Sequence, residues 1–151
     1  MKIFTTRFGE IEIEEKDIIE FEYGIFGFEE YTKFTIFNIE ENNPLMLMQS
    51  IDEPSLAFVI ISPYEFRREY KVELSDEEVK KLKIEKEDDV DIFTIVVVPH
   101  DNPDKMTANL QGPIVINRKE RQGKQVITNN PNYHIKHYIL KEMAEKSGGA
   151  E

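Results

Sequence analysis

Short strand signals, several of them cut off by turns, are the feature that most constrains this chain. Glu10 to Glu14 reads Glu-Ile-Glu-Ile-Glu. Strict alternation sends Ile11 and Ile13 to a core and Glu10, Glu12 and Glu14 to the opposite face. Successive carboxylates on that face stand roughly 7 Å apart along a strand. Ile18 to Phe21, Phe34 to Ile39, Leu45 to Ser50 and Leu56 to Ser62 have the same strand character, broken by Asn42-Asn43-Pro44 and Asp52-Glu53-Pro54. Tyr70 to Leu74 alternates again, with Lys71 and Glu73 outward. Val90 to Pro99 is apolar at almost every position, which predicts a central strand covered on both faces. Met106 to Leu110 and Pro113 to Asn117 are further short strands. Glu120 to Lys124 is expected to be a hairpin loop centred on Gly123, with Gln125 to Thr128 returning.

Helical signals are few. Ser75-Asp76-Glu77-Glu78 matches a capping box ahead of Val79 and Leu82. After Asn129-Asn130-Pro131 the pattern fits both a strand (Tyr133, Ile135, His137, Ile139) and a helix (Ile135, Ile139, Met143). It is read as an extended segment followed by a short helix at Leu140 to Lys146. The whole implies an all-β chain, a sandwich or a small closed barrel, with one or two short helices. Closure would also remove exposed strand edges. Residues 1–146 form one expected domain, and 147–151 an expected frayed tail.

Charge narrows the partners. Thirty Asp and Glu against 19 Lys and Arg give a net charge of −11. Such a chain repels nucleic acid and anionic membranes, and favours a basic protein partner. The regular acidic face of Glu10, Glu12 and Glu14, with Glu20 and Glu22 near in sequence, is the expected place for that encounter. There is no cysteine, hence no disulfide and no thiolate metal site. The opening residues lack a signal-peptide apolar core, and the longest apolar runs are far too short for a bilayer span. The expected location is the cytoplasm.

Catalytic chemistry is poorly supplied. The only histidines are His100, His134 and His137. His134 and His137 have a spacing that could grip a metal on a helix, but no motif supplies further ligands, so they are read as ordinary surface histidines. No nucleophile elbow, P-loop, dinucleotide fingerprint or EF-hand loop is present. No cofactor and no metal is expected, and the chain is read as a binding protein and not an enzyme. Gly24 to Gly27 has a GxxG spacing, but glutamates at 20, 22, 29 and 30 flank it, against a nucleic-acid clamp. Arg118, Lys119, Arg121 and Lys124 form a basic cluster, read as a solvated loop or a dock for an acidic group. The alternative function is a small barrel that carries an apolar molecule, which would need an unfilled interior.

Four segments in order resemble the flagellar assembly factor FliW family: Thr6 to Ile11; Ile18 to Phe21 with Gly24 to Glu29; Pro44 to Ser50 with Pro54 and Leu56-Ala57-Phe58; and Met106 to Asn117 with Gly123, Gln125 and Val126. The chain departs from the family pattern at Glu22 and Phe26, where prolines are usual, and has no tryptophan. The resemblance implies a barrel-like fold without catalysis and two protein partners. One is flagellin, held in the cytoplasm. The other is CsrA, a small basic RNA-binding dimer that represses flagellin translation and is relieved by FliW binding. The fourth segment holds Asn109, Gln111 and Asn117, amides that its apolar neighbours do not need for packing, and these are expected partner contacts. Tyr23, Phe26, Phe28, Leu45 and Leu47 are expected to fill the core.

Overall fold

The computed structural model describes residues 1–149. It opens with a hairpin of β1 (Lys2–Thr5) and β2 (Gly9–Glu12), in register through Ile3 and Ile11. Then follow β3 (Ile19–Glu20), β4 (Lys33–Asn38), β5 (Met46–Ser50), β6 (Ala57–Ile61) and β7 (Val90–Val97). The last strands are β8 (Thr107–Ala108), β9 (Ile114–Asn117), β10 (Gln122–Gln125) and β11 (His137–Tyr138). The helices are α1 (Asp76–Lys81) and α2 (Ile139–Gly149).

Seven strands close into a barrel in the order β7, β6, β5, β4, β3, β10, β9 and back to β7. The length of β7 makes closure possible. One end of it pairs with β9 from Val90 to Phe93, and the other end pairs with β6 from Thr94 to Val96. The seam is the single parallel contact of Gln122 with Glu20. Beyond the ring, β8 and β11 extend the sheet from the far end of β7. Between β8 and β9 the chain bulges over residues 109–113. Asn109 Oδ1 holds the bulge by accepting from Gln111 N and Gly112 N at 3.0 and 2.9 Å.

Alternation then sorts side chains to two cores. Phe21, Ile25, Phe34, Met48, Ile60, Ile114 and Ile116 fill the barrel, with Phe58, Phe93 and Ile95 packed against them. Large side chains therefore fill much of the interior, and a pocket of about 290 Å3 lined by Ile36, Met46, Phe93 and Ile116 opens beside them. The outer face carries a second apolar layer. Phe66, Tyr70, Tyr133 and Ile139 cover Ile61, Val96 and Ala108, while Leu82 of the α1 region covers Val115 and Val126. Ser75 caps α1 as its sequence predicts, accepting from Glu78 N at 3.1 Å.

Several expectations need correction. Tyr70 to Leu74 alternates in burial, with Tyr70 inward and Lys71 and Glu73 outward, but it joins no sheet. It is an extended cover strapped across the outer face, and alternation alone cannot tell a cover from a rung. Gly123 lies within β10 and not in a loop; the turn passes through Arg121, at φ 55°. Glycine is required at 123 by the neighbouring Phe21 ring, not by a turn. β7 stops at Val97, and Val97 and Val98 are exposed. His137 is buried, not a surface residue. The C-terminal helix starts at Ile139, so the expected tail at 147–151 enters it up to Gly149, and residues 150 and 151 lie outside the described residues.

Candidate partner-binding surface

The loop after β3 shows the largest departure from expectation. Phe21 and Ile25 are buried plugs at one end of the barrel. Tyr23, Phe26 and Phe28, expected in the core, are instead 46%, 52% and 40% exposed. Only Leu47, of the five large side chains expected to fill the core, is fully buried; Leu45 is half-buried. The reason is local. The two glycines among aromatics suggest a turn or bulge that packs; Gly24 at φ +68° and Gly27 at φ +89° do turn the chain twice within four residues, but the aromatics stay exposed. A Cβ at Gly24 would lie 2.4 Å from Glu29 Cα, so the loop folds back tightly on itself.

The loop is rigidly held while its aromatics face out. Gly24 N donates to Phe21 O and Phe28 N to Ile25 O, at 2.8 and 2.7 Å. Phe26 N donates to Gln125 Oε1 at 3.0 Å, and Gln125 Nε2 in turn donates to Gly112 O at 3.0 Å. Gly112 N is held by Asn109. The second and fourth sequence motifs, far apart in the chain, thus meet at one end of the barrel. Phe28 packs edge-to-face on Phe58 at 5.4 Å. The β6–β7 register ends at Val59 opposite Val96, and the next residue of β7, Val97, is exposed. Tyr23 has another neighbourhood, with Lys81 4.8 Å and Lys124 5.9 Å from its ring. Phe26 has no ring partner among the described residues.

The residues expected at an interface fall in three places. Asn109 and Gln111 are half-buried in the bulge beside the aromatic loop. Asn109 bonds its own turn, and Gln111 N joins Leu110 N in donating to His134 O. Asn117 is 1% exposed. Its Nδ2 donates to Leu82 O and Lys83 O at 2.8 and 3.0 Å, and its Oδ1 accepts from Lys119 N and Glu120 N. This amide joins the end of α1 to the β9–β10 turn. Glu10, Glu12 and Glu14 are exposed, and each has a cation beside it: Lys2, the Met1 ammonium and Lys16, at 3.3, 2.9 and 3.4 Å. Glu20 lies on β3 opposite Lys33.

The basic cluster is divided among acids. Arg118 pairs with Asp91 at 2.5 Å, Lys119 with Glu85 at 3.5 Å and Lys124 with Glu78 at 3.6 Å, while Arg121 donates to Glu15 O. His137 Nε2 accepts from His134 N at 2.8 Å, and its Nδ1 meets Glu142 Oε2 at 2.7 Å. Glu142 also takes Arg67 at 2.7 Å. These groups bind α2 to the barrel wall. Among the described residues no three His, Asp or Glu groups gather as a metal site, and no helix is long and apolar enough to cross a membrane.

The sequence matches the family described as FliW protein over residues 2–139. The chain belongs to the FliW family. Relatives named flagellar assembly factor FliW include one from Geobacillus kaustophilus, 45% identical over 146 residues, which cover 97% of this chain and all of the relative. Another, from Leptospira biflexa, is 42% identical over 145 residues, 96% of this chain and 95% of the relative. A crystal structure of the flagellar assembly factor FliW superposes with a TM-score of 0.84 at 44% identity, covering 92% of this chain and 96% of that one. The relatives are named for flagellar assembly, and the family is one of assembly factors and not of enzymes.

Proposed function

We propose that this chain works in the cytoplasm by binding proteins: it holds flagellin before export and binds CsrA, relieving repression of flagellin translation. One observation carries the reading. A hydrogen-bonded, glycine-turned loop presents Phe26 and Phe28 to solvent. Exposed aromatics on a fixed frame are the side chains that dominate protein interfaces, because they bury much area at little entropic cost. Flagellin is assigned to this apolar end, with Asn109 and Gln111 at its polar rim.

CsrA is assigned to acidic surface, beginning with Glu10, Glu12, Glu14 and Glu20. Their intramolecular ion pairs are exposed, and such pairs are worth only about 0–1 kcal/mol, so a basic partner can displace them. Asn117 contributes by holding the frame and not by contact. The test is a pull-down with purified flagellin and purified CsrA. Both should bind wild-type protein, and Phe26→Ser should lose flagellin while keeping CsrA. Failure of both partners to bind wild-type protein would reject the reading.

A further inference from the structure

A groove of about 890 Å3 opens on the outer barrel wall, and none of the loop aromatics Tyr23, Phe26 and Phe28 lines it. One side is the extended Tyr70–Leu74 segment and the other is β7 from Val90 to Phe93, with Val79 and Ile84 between them. The volume lies in the range of ligand sites. The edge of β7 inside the groove is unusual. Pairing with β6 stops at Thr94, so Val90 to Phe93 have a strand on only one side. Asp89 O accepts from Arg118 N, and Ile95 O accepts from Asn109 N. Alternate residues therefore face β9 and β8, and Ile92, between them, turns its N–H and C=O to the other edge. Across the groove, Val72, Glu73 and Leu74 make no backbone hydrogen bond among the described residues. Exposed edges with free N–H and C=O groups are templates for an incoming strand.

Charge selects the occupant. Glu73, Glu87 and Asp91 line the groove against Lys71 alone. Asp91 is engaged by Arg118, whereas Glu73 and Glu87 have no ion-pair partner among the described residues. We propose that the groove takes an extended peptide segment bearing lysine or arginine, added as a strand to the free edge of β7. Backbone bonds to Ile92 give it register, Val72 and Ile84 receive its apolar residues, and Glu73 and Glu87 select its charge. The assignment does not depend on the partners proposed above.

The probe is the peptide acetyl-Lys-Val-Lys-Val-Lys-Val-Lys-amide, titrated into isotope-labelled protein and followed by amide NMR. The Ile92 amide and those of Val72 to Leu74 should shift, and exchange of the Ile92 amide should slow roughly tenfold. The glutamate counterpart of the peptide should leave these signals in place. Glu73→Lys with Glu87→Lys, both exposed, should weaken binding about fivefold or more without changing the melting temperature. The proposal is overturned if no shift appears up to millimolar peptide, if the acidic peptide works equally, or if the shifts centre on Phe26 and Phe28. It is also overturned if Ile92 shifts on raising protein concentration alone, which would make the occupant a second copy.

Discussion

The ring of Phe21 occupies the space that a side chain on Gly123 would need: a Cβ there would lie 2.5 Å from Phe21 Cζ. Phe21 is fully buried, at the start of the loop that carries the exposed aromatics. Gly123→Ala must displace a buried ring, and overpacking of this kind costs typically 1–3 kcal/mol. Urea unfolding should show a lower midpoint at unchanged slope. Phe21→Leu in the same chain should recover part of the loss, because it removes the atoms in conflict.

Asn117 offers a second stability test. Its amide serves four backbone groups in a buried site. Asn117→Ala leaves them unpaired, at roughly 1–3 kcal/mol per unsatisfied group, tempered by any water that enters. Thermal melting should fall by several degrees. By contrast Gln111→Ala, in the half-buried bulge, should change stability little, since only its backbone is bonded.

Tyr70 sets a limit at high pH. Its hydroxyl donates to Leu110 O at 2.6 Å, and burial, with Tyr133 and Tyr64 nearby, pushes its pKa well above the usual tyrosine value. The folded state therefore holds this proton more tightly than the unfolded chain. The contribution to stability is complete below about pH 10, the unfolded value, and is lost as pH rises above it. Tyr70→Phe should lower stability at neutral pH by about 1 kcal/mol and flatten the alkaline decline. Denaturant midpoints from pH 7 to 11 would show both effects.

Much of the fold is legible along the chain. The strand signals at Glu10 to Glu14, Phe34 to Ile39, Leu45 to Ser50 and Leu56 to Ser62 become strands or parts of strands, and Ser75 caps its helix. These features are local, and so is the physics behind them. Ring closure through the two halves of β7 depends on contacts distant in sequence, and no local pattern encodes it. Gly123 illustrates the same limit, since its requirement comes from Phe21, about a hundred residues earlier. Phe26 and Phe28 look like core residues by type, and only the two positive-φ glycines reverse their direction. In the fourth motif Asn117 uses both its amide atoms inside the chain, whereas Asn109 spends only its Oδ1 on its own bulge.

Electrostatics should separate the two proposed partners. With a net charge of −11, association with basic CsrA should slow markedly as salt rises, because exposed charges act over about 8–10 Å at physiological ionic strength. Dissociation should change less. Glu10→Lys with Glu12→Lys should slow CsrA association and spare flagellin. Association rates at low and high salt are the measurement, and equal salt slopes for both partners would count against the assignment.

Flagellin is proposed to bind at the exposed aromatic end of the barrel. Titration calorimetry of flagellin against wild-type, Phe26→Ser and Phe28→Ser proteins tests it most directly. Phe26→Ser should melt within about 0.5 kcal/mol of wild type, as an exposed change does, and Phe28→Ser should lose about 1 kcal/mol with its Phe58 contact. Both should weaken flagellin binding tenfold or more, a cost of at least about 1.4 kcal/mol. Unchanged flagellin affinity in both variants, with the fold intact, would contradict the account.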